Sequence, residues 1–225
     1  MRIGNTNYER EQDIPETVPV FPLSGALLLP RSYLPLNIFE PRYLAMIDDA
    51  LATHRVIGMV QPRFDGATGE DPDTPLLCGV GALGRIVSFQ ETGDGRYLIQ
   101  LSGVCRFSIL EEIDDGELFR RCRISAERFV SDLVDTDGGA EVDRDALIEA
   151  FQSYLDANDL EADWKSVRTA SNEALVNTLA MMSPYGPAEK QALLEAPDLR
   201  ARAATLVAIT EMELARQSGD KPTLN

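Results

Sequence analysis

The sequence predicts an α+β fold in which a strand-rich unit with one early helix precedes a helical unit. Two observations predict it. From Val18 to about residue 131 the chain consists of short apolar runs broken by Pro and Gly, which is typical of strands. Beyond an acidic, Gly-containing stretch, apolar residues recur every three or four positions, which is typical of amphipathic helices. A chain of 225 residues is long enough to bury a hydrophobic core in each unit.

These changes in pattern predict five segments. They are a polar, flexible arm, a strand-rich subdomain, an acidic linker, a helical bundle and a short tail, at 1–17, 18–131, 132–142, 143–217 and 218–225.

The strand-rich subdomain is predicted to contain one helix, at 41–53. Pro41 suits its first position, where the missing N–H would have no intrahelical partner. Leu44, Ile47 and Leu51 then share one face. Apolar runs bounded by turn residues predict strands near 18–21, 26–29, 34–38, 55–61, 77–91, 96–112 and 118–130, with a loop at 62–75.

The helical subdomain shows its periodicity in residues that repeat every four positions, beginning with Leu147. Ser171 is of the residue type that caps helix amino termini, and Pro184 with Gly186 breaks the pattern. The residues expected in the core of the bundle are Leu147, Phe151, Leu175, Leu179, Leu193 and Leu206.

Composition and charge exclude several classes of function. The net charge of −16 repels a phosphate backbone, so no nucleic-acid partner is expected. No apolar run reaches the roughly 18 residues of a spanning helix, and the polar amino terminus is unlike a signal peptide, so no membrane partner is expected. Three cysteines without paired spacing indicate reduced thiols and a cytoplasmic location.

One stretch resembles a known family. The run VFPLSGALLLPRSYLPLNIFEPRYLAMIDDAL, Val20 to Leu51, leads from proline-punctuated strands into a helix through Phe39-Glu40-Pro41-Arg42-Tyr43. This order resembles the start of the amino-terminal, substrate-binding domain of ATP-dependent Lon proteases. A second block, Glu189 to Glu195 followed by Leu199 to Leu206, resembles the helical end of that domain. The resemblance spans about 18–214 and implies a PUA-like pseudobarrel followed by a helical bundle.

The resemblance also implies candidate binding residues. They are Pro22, Leu23, Phe39, Glu40, Arg42 and Tyr43. A structural interpretation places Phe39 and Tyr43 in the seam between helix and barrel, with Glu40 at the helix start and Arg42 paired with a nearby acid. A functional interpretation places some of these side chains in a cleft that touches an unfolded segment. The structural interpretation is favoured, and a binding surface is expected to use exposed apolar residues between the barrel and the bundle.

The sequence lacks the motifs of several common catalytic sites. The phosphate-cradling pattern G-x-x-x-x-G-K-[ST] does not occur, and no segment matches the Ser–Lys half of a Lon protease. His54 is the only histidine, which excludes a triad or metal site that needs two imidazoles. The G-x-G-x-x-G match at 79–84 continues as strand and lacks the strand-to-helix turn of a dinucleotide site. We therefore predict no catalytic residues, no metal and no cofactor.

The leading hypothesis is a non-enzymatic, stand-alone member of the Lon substrate-binding domain family. It would bind unfolded or apolar-rich polypeptides as an adaptor or chaperone-like factor. A protease or a chaperone is a further candidate partner, and self-association is left open. The alternatives are a small hydrolase with an unrecognised cleft site and an RNA-binding PUA-like module, which the acidic charge disfavours.

Overall fold

The structure is a computed structural model that describes residues 1–64, 75–134 and 142–219. Within those ranges the strands β1 to β8 are Arg2–Ile3, Thr6–Asn7, Thr17–Pro22, Tyr33–Ile38, Val56–Val60, Val80–Glu91, Tyr97–Ile113 and Arg121–Ser125. The helices α1 to α6 are Pro41–Ala52, Arg144–Ala157, Trp164–Thr169, Asn172–Met182, Pro187–Glu195 and Leu199–Gly219. Short 3-10 segments lie at Glu11–Asp13 and Glu127–Leu133.

The chain divides into two compact units. The first comprises Met1–Asp135 together with Tyr185–Leu194, and the second comprises Thr136–Pro184 together with Glu195–Asn225. The first unit holds all eight strands, α1 and nearly all of α5. The second holds α2, α3, α4 and α6.

The sheet of the first unit closes into a barrel. Strands β3, β5, β6, β7 and β8 form a ring because β8 pairs with both β3 and β7, and β4 is added alongside β7. Only β3 and β5 run parallel among these pairs. β7 serves three partners because it is 17 residues long and changes register between Ile109 and Glu111. The closed sheet and the helices α2 to α6 that follow it in the chain confirm the predicted α+β class.

Phe107 lies at the centre of the barrel core. Its side chain is fully buried among apolar residues that include Val20, Val60 and Leu83. A Cβ atom built on Gly58 or Gly81 would lie 2.8 or 2.6 Å from Cζ of this ring. The two glycines therefore leave the space that the ring fills, and the glycine-rich run at 79–84 serves packing in and beside β6.

A buried ion pair joins the barrel to the 3-10 segment that follows β8. Nε and Nη2 of Arg106 each donate a 2.8 Å hydrogen bond to the carboxylate of Asp132, and the backbone N–H of Arg106 donates a third. The side chains are 3% and 9% exposed. Asp132, which the sequence placed in the linker, is thus part of the first unit. Residues 135–141 of that linker lie outside the described residues.

Helix α5 belongs with the barrel, although the sequence placed it in the bundle. Gln61 Nε2 donates to the carbonyl of Pro187 at 3.0 Å and to Gln191 Oε1 at 3.2 Å. Gln191 Nε2 in turn donates to the carbonyl of Val80 at 3.0 Å. These side-chain amides link α5 to backbone carbonyls and to each other across a long stretch of sequence, which sequence periodicity does not reveal.

The amino-terminal residues also differ from the expectation of a flexible arm. Ile3, Tyr8 and Ile14 are buried in or against the barrel core. Arg85 Nη1 donates a 3.1 Å hydrogen bond to the Tyr8 hydroxyl, and the amino group of Met1 donates to the carbonyl of Leu133 at 3.0 Å. Three widely spaced apolar residues in a polar segment are sufficient to anchor it, and such spacing matches neither a strand nor a helix.

Local differences from the predicted elements have physical causes. Residues 27–29 are buried but form no strand, since burial alone does not require pairing. The run predicted as a strand at 118–130 forms only β8 and then turns into the 3-10 segment. In α1 the buried residues are Tyr43, Met46, Ile47 and Ala50, so the face is rotated from the one predicted. Most of the loop predicted at 62–75 lies outside the described residues.

The helices of the second unit begin at side-chain caps. Asp143 accepts a hydrogen bond from the N–H of Ala146, and Ser171 accepts one from that of Ala174, as its position predicted. Leu147, Leu175 and Leu206 are buried as expected. Among the helices that the structure describes, none is both long enough and apolar enough to cross a membrane.

Two further residues expected in the bundle core are only half-buried. Phe151 and Leu179 line an open cavity of the second unit instead of filling its centre. Leu193 is fully buried, but as part of α5 it belongs to the first unit.

Candidate functional site

A cleft in the first unit collects three of the six candidate residues. Pro22 ends β3, and Arg42 and Tyr43 stand in the first turn of α1. They line a cleft of about 290 Å³ together with residues from the loops that precede β6 and β8, namely Pro62, Pro75, Leu118, Phe119 and Arg120. This volume is near the lower limit for ligand pockets and suits one or two side chains.

The base of the cleft is aromatic and fixed. The ring of Tyr43 is buried, and its centroid lies 4.3 Å from that of Phe21. Burial raises the pKa of Tyr43 above its ordinary value, an effect that the nearby guanidinium of Arg42 partly offsets. The hydroxyl therefore stays protonated at neutral pH. Tyr43 therefore contributes an uncharged aromatic surface to the cleft.

Two arginines flank the cleft, and both are already paired. Arg42 forms a 2.8 Å ion pair with Glu40, and its guanidinium lies 4.6 Å from the centre of the Tyr43 ring. Arg120 binds both carboxylate oxygens of Glu112 and donates to the carbonyl of Pro75 at 2.8 Å. Each of the two guanidinium groups therefore already has a carboxylate partner beside the cleft.

Leu118 gives the cleft its exposed apolar rim. It is 72% exposed, next to the buried Phe119. Its side chain contributes apolar surface at the opening of the cleft, beside the prolines that line it. Sequence reasoning missed Leu118, although an apolar pair after the polar turn at 114–117 was a usable signal.

The other three candidate residues do not line this cleft. Leu23 is half-buried, and its N–H donates to the carbonyl of Val60 at 2.9 Å, a structural role. Glu40 precedes the first turn of α1, and its side chain holds Arg42. Phe39, expected in the seam, is instead 60% exposed, with the guanidinium of Arg96 6.0 Å from its ring centre.

Cys105 and Cys122 are buried thiols with raised pKa values. Burial raises the pKa of Cys122 to about 11 and shifts that of Cys105 further in the same direction. Both thiols are thus protonated at neutral pH, and a thiol without its thiolate form is a poor nucleophile. In the described ranges, no group of three or more His, Cys, Asp or Glu side chains is arranged to hold a metal ion.

Comparison with known proteins identifies the family. Residues 17–211 match the model of the ATP-dependent protease La (LON) substrate-binding domain. The chain belongs to this family. Both sequence blocks predicted membership of the Lon substrate-binding domain family, and this prediction is confirmed. The matched residues include parts of both units of the fold.

Full-length relatives are much longer than this Lon substrate-binding domain. Lon protease 2 of Myxococcus xanthus is 28% identical over 199 residues, which are 85% of this chain and 23% of the relative. Lon protease of Anaeromyxobacter dehalogenans is 33% identical over 129 residues, 56% of this chain and 15% of the relative. The chain thus spans about a quarter or less of the length of these curated relatives.

Two solved structures share the fold. A Lon N-terminal domain protein from Xanthomonas campestris has a TM-score of 0.59 at 22% identity and covers 85% of this chain and 97% of its own. The N-terminal domain of Mycobacterium avium complex Lon protease also has a TM-score of 0.59, at 18% identity, covering 87% and 98%. The similarity to these structures establishes the architecture of the Lon substrate-binding domain.

Proposed function

We propose that this protein is a non-enzymatic polypeptide-binding module that acts as an adaptor or chaperone-like factor in protein quality control. Its clients are unfolded or apolar-rich segments, and it works together with a protease or a chaperone. The observation that carries the proposal is the cleft in which Pro22, Arg42 and Tyr43 converge with the exposed Leu118. The family description, a substrate-binding domain of a protease, agrees with this role.

The composition of the cleft favours side chains of a polypeptide over other ligands. Proline, aromatic and leucine side chains form the apolar part of its surface. The charged part consists of two arginines, each paired with a glutamate. An apolar client residue can displace water there without leaving a buried charge unpaired. The RNA-binding alternative lacks unpaired cations at this site, and the net charge of −16 opposes it further.

Client binding is expected to depend on Leu118. We expect Leu118→Ser to weaken binding of a fluorescently labelled, denatured protein about tenfold, because burying a leucine side chain contributes roughly 1.5–3 kcal/mol. Leu110→Ser is the matched control, since Leu110 is 51% exposed and does not line the cleft. Fluorescence anisotropy at low and moderate salt measures both variants, and the dependence on salt should be weak.

Two results would contradict this assignment. Equal loss of affinity in the Leu118 and Leu110 variants would place the binding surface elsewhere. Tight binding of single-stranded RNA that falls steeply with rising salt, with no client binding, would favour the RNA-binding alternative.

The purified protein is expected to show neither ATPase nor peptidase activity. The sequence contains no G-x-x-x-x-G-K-[ST] pattern, and the thiols with raised pKa values are poor nucleophiles. Phosphate release from ATP and cleavage of casein measure the two activities. Turnover that persists through repeated purification, with a constant ratio of activity to protein, would support the hydrolase alternative instead.

A further inference from the structure

An apolar cavity opens within the second unit, in a part of the fold that the proposed cleft does not involve. It has a volume of about 510 Å³ and lies among α2, α3, α4 and the loop before α3. Its walls include Phe151, Trp164, Leu179 and Met182, with Leu160 at the loop. Such a volume accommodates two or three bulky side chains and falls within the usual range for ligand sites.

The residues at its mouth are unusually exposed for their type. Met182 is 79% exposed and Leu160 is 53% exposed. Phe151 and Leu179, which stand at positions where helical periodicity predicts core, are also only half-buried. Four large apolar side chains around one opening form a contiguous apolar surface, and such surfaces mark sites of interaction.

Water is a poor occupant of this cavity. The hydroxyl of Ser183 already donates to the carbonyl of Leu179 at 2.7 Å, and that of Ser166 donates to Asp163 at 2.5 Å. An ordered water needs two to four polar partners, and the walls are overwhelmingly carbon. The cavity therefore gains most from an apolar side chain that replaces loosely held water.

The rim next to the cavity is acidic. Three carboxylates lie within the six residues that connect α2 to α3, and two of them, Glu161 and Asp163, line the cavity itself. Hydrogen bonds from Ser166 and from backbone N–H groups hold the pKa of Asp163 below its usual value. In the part of the chain that the structure describes, neither of these two carboxylates forms an ion pair.

The second unit as a whole has the same sign of charge. Residues 142–184 and 195–219 contain twelve acidic and six basic side chains. An acidic segment would be repelled on approach, whereas a basic one would be attracted and held at the rim. Charge complementarity therefore selects among the apolar polypeptides that the cavity could accept.

We propose that this cavity is a second polypeptide site, which takes segments carrying bulky apolar side chains flanked by Lys or Arg. The apolar side chains enter the cavity against Trp164, and the basic residues face the acidic loop that ends at Asp163. This inference extends the proposed polypeptide-binding function and specifies a class of client. It concerns the second unit alone and does not depend on the cleft.

Trp164 allows a direct test because it is the only tryptophan in the chain. Its fluorescence is titrated with three tryptophan-free peptides of equal length, one with Leu and Lys, one with Leu and Glu, and one with Ser and Lys. We expect a saturable change with the Leu–Lys peptide and at least tenfold weaker binding of the other two. Met182→Ser should weaken the Leu–Lys peptide at least fivefold, whereas Met212→Ser, at a position on α6 that is 57% exposed and outside the cavity, should not.

Each outcome decides the proposal. If the Ser–Lys peptide bound as tightly as the Leu–Lys peptide, charge alone would account for binding and the apolar cavity would have no role. Unchanged Trp164 fluorescence with all three peptides would contradict the proposed site. A fluorescence change that follows protein concentration without peptide, with dimers in analytical ultracentrifugation, would assign the cavity to a second copy of the chain. Leu118→Ser should leave the Trp164 titration unchanged, so failure of this proposal is distinguishable from failure of the cleft.

Discussion

Asp132→Ala is expected to lower the free energy of unfolding by about 3–5 kcal/mol. The substitution removes a carboxylate that receives three hydrogen bonds from Arg106, whose side chain is only 3% exposed. The guanidinium would then be buried without its counter-ion, which costs far more than the pair contributes to stability. Urea denaturation followed by far-UV circular dichroism measures the change.

Two further variants test the physical reason for that loss. Arg123→Met removes an exposed partner of Glu111, in a pair whose side chains are 46% and 56% exposed, and should cost less than about 1 kcal/mol. Arg106→Met combined with Asp132→Leu should recover part of the loss, because it removes both buried charges. Equal destabilisation by Asp132→Ala and Arg123→Met would show that burial is not the cause.

Phe107→Ala, made as a single substitution, is expected to lower the free energy of unfolding by about 3–5 kcal/mol. The ring is fully buried and occupies space that Gly58 and Gly81 leave open. Neighbouring backbone cannot collapse easily into that space, since β5 and β6 are both held in the closed barrel. A cavity that stays open adds to the lost transfer free energy of the ring.

Phe89→Ala provides the control for ring removal. Phe89 lies in β6, is 37% exposed, and makes an edge-to-face contact with Tyr97 at 4.9 Å. Phe89→Ala should lower the free energy of unfolding clearly less than Phe107→Ala does. If Phe107→Leu, which keeps most of the apolar volume, restores much of the denaturation midpoint lost in Phe107→Ala, the volume argument holds. A midpoint unaffected by Phe107→Ala contradicts the assignment of this ring to the core.

The sequence predicted the elements whose signals are local. Pro41 and Ser171 mark helix starts through their backbone and side-chain chemistry, and both helices begin there. The long hairpin of β6 and β7 follows from two extended apolar runs on either side of a Gly-containing turn. Such features depend on neighbours within a few residues, so the chain displays them directly.

The parts that were not predicted depend on contacts between distant residues. Tyr8 is buried in the barrel core and accepts a hydrogen bond from Arg85, which is far from it in sequence. The cleft combines Tyr43 with Leu118, whose exposure only the folded barrel determines. Phe39 and Tyr43 differ for the same reason, because only one of these aromatic rings meets Phe21.

The membership of α5 in the first unit has a consequence for how the chain is made. Residues 136–184 leave the ribosome before α5 does. Until α5 is synthesised, Gln61, Val80 and Arg106 therefore lack the hydrogen bonds that they form with it in the folded protein. At about 5–20 residues per second this interval lasts seconds, which is long compared with barrel collapse. The nascent barrel therefore exposes the surface that α5 later covers. A protein proposed to bind unfolded segments is therefore itself only partly folded for a few seconds of its own synthesis.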